Sequence, residues 1–436
     1  MNAPDFPTAE MGRALVARAE ALARHSDSPL HYTRTFLTPA HQQAAKVIAG
    51  WMTEAGMAVH VDAIGNVIGR YEGTAGSRTL LMGSHFDSVR NGGKYDGVLG
   101  ILIPIACVAE LHRRGERLAV AIEVAAFSDE EGARFQTSFL SSRALIGRFD
   151  AGVLERRDAD GVSFGDAMRA AGLDPDTIHA ARLDVGRLAG YVELHIEQGP
   201  VLLQRGLPLG VVTTIGGGSR NLVQVRGEAG HAGTVPMAMR HDALAAAAEM
   251  VLAVEQRCSS GGSLVGTVGI LKVRDGTGNV IPGEVEFTCD IRAGDDATRT
   301  AAERDVFASF DAIAARRGVS VQRSKTHEVH AVPCAPWLQE RLATAVRKMG
   351  SAPGLKAGLE EKPQELGSDP IFLPSGAGHD AMILAEVTDV AMMFVRCGAG
   401  GVSHNPAETV TAEDAGLAAA ALLEFLRGLE APSAPA

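Results

Sequence analysis

Hydrophobic positions along the chain fall into two textures. In the first half, short unbroken apolar runs alternate with segments of helical period. Residues 39–56 have helical spacing, and 58–70 read as a strand. Thr79–Gly83 (TLLMG) and Leu118–Phe127 (LAVAIEVAAF) are continuous apolar strands, separated by a helix over Val98–Arg113. A strand that is apolar at every position has both faces covered, as happens when helices connect parallel strands. The pattern predicts an α/β domain with a mainly parallel sheet. In open sheets of this kind, ligands sit just beyond the carboxyl ends of the strands.

From about Thr213 the period shortens to two. Asn221–Arg226 (NLVQVR), 264–273 and 284–292 alternate, His241–Arg257 and 298–317 read as helices, and Ser320–Lys325 is a last short strand. This β-α-β-β-α-β order predicts a small ferredoxin-like α+β domain with one sheet face open. Ala391–Arg396 (AMMFVR) is again a continuous apolar strand, so the chain returns to the first domain near His330. The expected division is 1–212 with 331–436 as one domain and 213–330 as an insertion. The stretches 216–219 (GGGS) and Val332–Pro336 read as its hinges. No internal repeat is found.

Composition narrows the classes. With 436 residues and 46% hydrophobic content, the chain exceeds one ordinary domain. A net charge of -11 disfavours a nucleic-acid surface. Doublets such as Arg113-Arg114 alternate with apolar helix positions and read as solvated faces. Five scattered cysteines (Cys107, Cys258, Cys289, Cys334, Cys397), none in a CxxC pair, fit a reduced cytoplasm. Residues up to about Arg24 read as an amphipathic helix, without the layout of a signal peptide. The longest apolar run, Val98–Leu111, contains Pro104 and is shorter than the roughly 20 residues a membrane span needs.

Candidate chemistry starts where the strand TLLMG ends. His85-Phe86-Asp87-Ser88 leads into the glycine-rich loop Asn91-Gly92-Gly93-Lys94-Tyr95-Asp96-Gly97. Imidazole and carboxylate at a strand's carboxyl end are what a zinc-type site requires, and the glycines let Asp96 turn back over His85. Asp87 stands two residues from His85, close enough to fix the imidazole tautomer from behind. Taken alone, the segment also reads as a turn with an Asx cap. The next parallel strand ends in Ser128-Asp129-Glu130-Glu131-Gly132, whose adjacent glutamates point to different sides, so one can ligate while the other shuttles protons. An acidic first helix turn is the plainer reading. His195 (in HIEQG, 195–199) and His404 (in SHNPAE, 403–408) follow similar strand patterns. A lone histidine is usually structural, and His25, His31, His41, His60, His112, His179, His241, His327 and His330 are read that way.

In order along the chain, His85-x-Asp87, Asp96, Glu130-Glu131, HIEQG and SHNPAE resemble the M20 metallopeptidase superfamily. The match is closest to its hydantoinase/carbamoylase amidase branch and covers roughly residues 30 to 425. His195, where peptidase-like relatives carry an acid, favours that branch. The resemblance implies a metal-dependent exopeptidase-like catalytic domain and a two-metal centre of zinc or manganese. His85 and His195 would hold one ion, Glu131 and His404 the other, and Asp96 would bridge them, with Glu130 as general base. Two carboxylates against two divalent ions leave a net +2 that favours a bound hydroxide, and ions about 3.5 Å apart can polarise a carbonyl together.

The same resemblance gives His231 the oxyanion, and Asn279 and Arg292 the substrate carboxylate. Without the family, Arg292 reads as an exposed strand-end arginine. Gly376 and Ala377, in Ser375-Gly376-Ala377-Gly378-His379-Asp380, would line the substrate, with His379 and Asp380 structural. Gln198 is a further polar candidate. In the family the small domain forms a homodimer and sends its histidine across to the partner. The expected function is a cytoplasmic amidohydrolase that cleaves the carbamoyl bond of allantoate, an N-carbamoyl-L-amino acid or a related ureido acid. The segment Gln136–Arg143 (QTSFLSSR) leans towards allantoate. The alternatives are an M20-type peptidase or N-acyl-amino-acid deacylase, and a non-catalytic binding protein of the same fold.

Overall fold

The computed structural model describes residues 7–74, 78–259, 261–350 and 370–429. The chain folds into two compact units. One comprises Met1–Thr213, Cys334–Leu373 and His379–Ala436, the other Thr214–Pro333 with Pro374–Gly378.

The first unit is built on a mixed sheet. Its strands lie in the order Ala58–Val61, Val67–Tyr71, Ala121–Phe127, Thr79–His85, Leu188–Ile196, Val390–Val395, Leu209–Ile215. The four central strands are parallel. Those on either side are antiparallel, so the sheet is not mainly parallel as the apolar runs suggested. The reason is local. The stretch 58–70 is a hairpin and not one strand, because Asp62 accepts backbone N–H bonds from Ile64 and Asn66 and folds the chain back. At the far side, Leu209–Ile215 runs antiparallel to Val390–Val395.

Helix α1 (Thr8–Leu22) begins the described chain. Helix α2 (Pro39–Glu54) starts with Pro39 behind Thr38, whose hydroxyl caps the N–H of His41. Helix α3 (Val98–Arg113) is buried on almost every side, since it packs on the central strands and against α1 and Ala412–Arg427. That burial explains its uninterrupted apolar sequence. No helix among the described residues is long and apolar enough to cross a membrane.

The second unit runs strand, helix, strands, helix, strand. Its antiparallel sheet has the order Leu271–Val273, Glu284–Ala293, Gly217–Arg226, Ser320–Val329, with Val265–Thr267 also on Glu284–Ala293. Glu284–Ala293 alternates between buried and partly exposed positions, and the buried side chains meet helices Ala243–Cys258 and Asp296–Arg317 in one core. Two sequence readings change here. Gly217, Gly218 and Ser219 are strand residues paired with Ala293, Arg292 and Ile291, so GGGS does not form a loop. Val332 and Pro333 pair with Ile215 and Thr214. Small residues suit this strand start because the backbone N of Ala331 and the carbonyl of Val329 lie against Gly217.

Candidate metal centre

The strands Ala121–Phe127, Thr79–His85, Leu188–Ile196 and Val390–Val395 are consecutive neighbours and run the same way. Their carboxyl ends therefore form one row, and each end delivers a chemically active segment. His85 closes its strand, Glu130 and Glu131 follow the second, His195 sits near the end of the third, and His404 follows the fourth.

These side chains converge. Donor atoms of His85, Asp96 and His195 lie within 4.8 Å of one another, as do those of Asp96, Glu131 and His404, and those of His85, Glu130 and Glu131. Asp96 belongs to two of the trios. Its Oδ1 is 3.3 Å from His195 Nε2 and its Oδ2 3.1 Å from His404 Nε2. Gln198 Nε2 donates to the same carboxylate at 3.1 Å and reaches Ser403 Oγ at 3.3 Å.

The loop carrying Asp96 needs its glycines. Gly97 has φ of +66°, and a Cβ there would lie 2.4 Å from the carbonyl oxygen of His85 and 2.6 Å from its ring. At Gly93 a Cβ would run into the Glu408 carboxylate, which accepts the backbone N–H groups of Tyr95 and Asp96 and the hydroxyl of Ser403. Behind His85, Nδ1 faces the carbonyl oxygen of Asp87 at 3.1 Å, leaving Nε2 towards Asp96. The Asp87 carboxylate accepts N–H bonds from Glu130 and Glu131 at 3.0 and 3.3 Å. The Glu130-Glu131 segment is not a helix turn.

The electrostatics are those of too many acids in one dry place. Burial, with Glu131 and further carboxylates adding to it, pushes Glu130 well above the usual carboxylate range, against the pull of His85. Burial and the neighbouring Asp96 raise Glu131 to about 7. Burial would also raise Asp96, but the hydrogen bond from His404 and the charges of His195 and His85 hold it low. The bond to Asp96 takes His404 up to about 9, while burial drives His195 down to about 4. Glu131 Oε1, 3.6 Å from His404 Nε2, is buried without a hydrogen-bond partner among the described residues. A buried carboxylate oxygen with no hydrogen bond, set among imidazoles and acids, completes a donor set that fits divalent cations.

With this geometry in hand, similarity to known proteins is decisive. The family model for peptidase family M20/M25/M40 matches residues 81–428. An allantoate deiminase of Arabidopsis thaliana is 42% identical over 94% of this chain and 81% of its own length. An N-carbamoyl-L-amino acid amidohydrolase of Geobacillus stearothermophilus is 41% identical over 89% and 91%. The crystal structure of a hydantoinase/carbamoylase family amidase from Burkholderia multivorans superposes with a TM-score of 0.84 at 31% identity, over 95% and 97% of the two chains. The chain belongs to the M20/M25/M40 peptidase family, in its hydantoinase/carbamoylase amidase branch. This amidase is a hydrolase of carbon–nitrogen bonds.

The remaining candidates of the amidase lie in the second unit, except His379 and Asp380. His231, exposed, pairs in a two-residue strand with Val280, and the carbonyl of Asn279 accepts the N–H of Ala232, so the two candidates are neighbours. Arg292 is half-exposed, with Nε on Asp290 and Nη1 donating to the carbonyl of Gly376, and the N–H of Ala377 donates to Ser375 Oγ. In the first unit, His379 is buried edge-on to His195, and Asp380 is buried beside it. His41, read as background, is a core group. It stacks on Phe86 and meets the Ser128 carbonyl, and burial lowers it to about 3.

Sequence reasoning passed over two carboxylates. Glu193 forms a further trio with His195 and His379, accepting from Ser84, Tyr191 and the N–H of Ala381. Its signal was strand period, which puts residues 193 and 195 on one face. Glu408 stood in the quoted SHNPAE motif without a task.

Proposed function

We propose that this amidase hydrolyses the carbamoyl C–N bond of a small ureido acid at a two-metal centre. The observation that carries the proposal is the pair of donor trios sharing Asp96, with Glu130 alongside. In this reading His85 and His195 hold one ion, Glu131 and His404 the other, and Asp96 both, with zinc or manganese suited to such nitrogen and oxygen donors. Bound there, divalent ions polarise a carbonyl oxygen and lower the pKa of water. Glu130 accepts the proton of the attacking water and returns it to the leaving nitrogen. Asp87 positions both glutamates through their backbone N–H groups. The products are the freed amine, carbon dioxide and ammonia.

The names of the relatives, allantoate deiminase and N-carbamoyl-L-amino acid amidohydrolase, support a ureido acid. For its carboxylate we assign Arg292 with Asn279, for the oxyanion His231, and Gln198, Gly376 and Ala377 for further substrate contacts. All but Gln198, which donates to Asp96, rest on the resemblance. The second unit, Thr214–Pro333 with Pro374–Gly378 where the sequence suggested an insertion over 213–330, is read as a ferredoxin-like lid and dimerisation domain, which its strand–helix order supports. Five buried free thiols support a reducing, cytoplasmic setting.

Ammonia release from allantoate, ureidoglycolate, 3-ureidopropionate and several N-carbamoyl-L-amino acids tests the proposal. Turnover of at least one is expected. Amino-acid release from acyl or dipeptide substrates, with no ammonia from any ureido acid, contradicts it. Arg292→Ala is expected to raise KM by roughly 10- to 100-fold, the worth of a charged hydrogen bond of about 1.5–3 kcal/mol. An unchanged KM removes Arg292 from the carboxylate.

A further inference from the structure

Arg34 is completely buried, yet among the described residues it makes no ion pair with an acid. A buried cation without a carboxylate costs several kcal/mol unless other groups offset it. Here the offsets are main-chain carbonyls. Nη1 donates to the carbonyl of Leu22 at 3.0 Å, at the C-terminus of α1, where the helix dipole favours positive charge. Nε donates to the carbonyl of Phe86 at 2.5 Å, and the guanidinium lies 5.2 Å from the Tyr32 ring centroid. Nη2 has no hydrogen-bond partner among the described residues.

The segment around Arg34 grips the turn that carries His85 and Asp87. Its backbone N–H donates to Ser88 Oγ and its carbonyl accepts from the N–H of Ser88, both at 2.9 Å. The neighbouring Thr33 Oγ1 accepts the N–H of Asn91, and the carbonyl of Tyr32 that of Gly92. Fixing the carbonyl of Phe86 orients the next residue. The carbonyl of Asp87 then faces His85 Nδ1, and its carboxylate takes the N–H groups of Glu130 and Glu131. From the same end of α1, Glu20 pairs with Lys94 and accepts from Tyr95 OH, beside Asp96.

We infer that Arg34 is a positioning residue of the metal centre: seated on the end of α1, it sets the turn at 86–88 so that His85 presents Nε2 and Asp87 reaches both glutamates. The inference rests on the metal reading proposed above. A guanidinium suits the task because its donors reach two carbonyls from separate elements in a fixed plane, which the single ammonium of lysine does not.

The test is zinc affinity of the full-length apo protein, by competition with a chelating dye, together with the visible absorption of the Co²⁺-loaded protein. Arg34→Lys is expected to bind zinc about 10–100-fold more weakly, the usual effect of losing a group that orients a ligand, and to change the Co²⁺ spectrum. Ser88→Ala, which leaves no buried charge stranded, serves where Arg34→Lys does not fold. It should weaken zinc about fivefold for one lost hydrogen bond of about 1 kcal/mol. Variants with lower melting temperatures but wild-type zinc affinity and Co²⁺ spectrum overturn the inference alone. A wild-type protein that binds no zinc overturns it together with the metal centre.

Discussion

Glu130→Gln is expected to fold normally, keep its full metal content and lose turnover by about 10²–10⁴-fold, the range of a positioned general base. The change preserves shape and removes only the ability to carry a proton. Glu130 is buried, and its backbone N–H is already committed to Asp87, so an amide side chain has no reason to displace the segment. Its neighbours His85 and Glu131 stay in place, and metal affinity should move little. Kinetics on a ureido acid, set beside metal analysis of the same preparation, distinguish the outcomes. A loss confined to kcat supports the base assignment, whereas retained turnover transfers that role elsewhere.

Asp96→Asn is expected to do more, because one carboxylate belongs to both trios. The amide is similar in volume, so the fold should persist, but a neutral side chain in both donor sets weakens both sites at once. Each should lose more than the about 10–100-fold that follows from disturbing an orienting partner. Metal analysis after gel filtration should find the variant depleted of both ions and without ammonia release. A variant that keeps one full equivalent shows that Asp96 serves a single site.

Legibility in the sequence followed the range of the interaction. Thr79–His85 and α3 were readable because complete burial leaves an unbroken apolar signature in a few consecutive residues. The alternating strands Gly217–Arg226 and Glu284–Ala293 of the second unit were readable because each buries one face. The hairpin at Asp62–Asn66 left a signal, an aspartate ahead of a glycine, but apolar residues on either side masked it. The antiparallel flanks of the sheet were hidden, since strand direction depends on how the links route the chain between neighbours, which strand composition does not specify.

At the site, the five candidate ligands stood out through ordered motifs. The groups that hold them did not. Glu408 grips the backbone of Asp96 across more than 300 residues, and Arg34 holds Phe86 from another element. Neither contact follows from any local period. Both depend on which strand ends become neighbours, which only the topology determines.

The most direct measurement is metal stoichiometry linked to activity. The full-length wild-type protein, stripped with a chelator, is titrated with Zn²⁺ or Mn²⁺, and bound metal is counted by elemental analysis while ammonia release is followed. Two ions bound per chain, with activity absent from the stripped protein and restored on loading, is the expected result. Undiminished turnover in the stripped protein, or no uptake of either ion, contradicts a metal centre built from His85, Asp96, Glu131, His195 and His404.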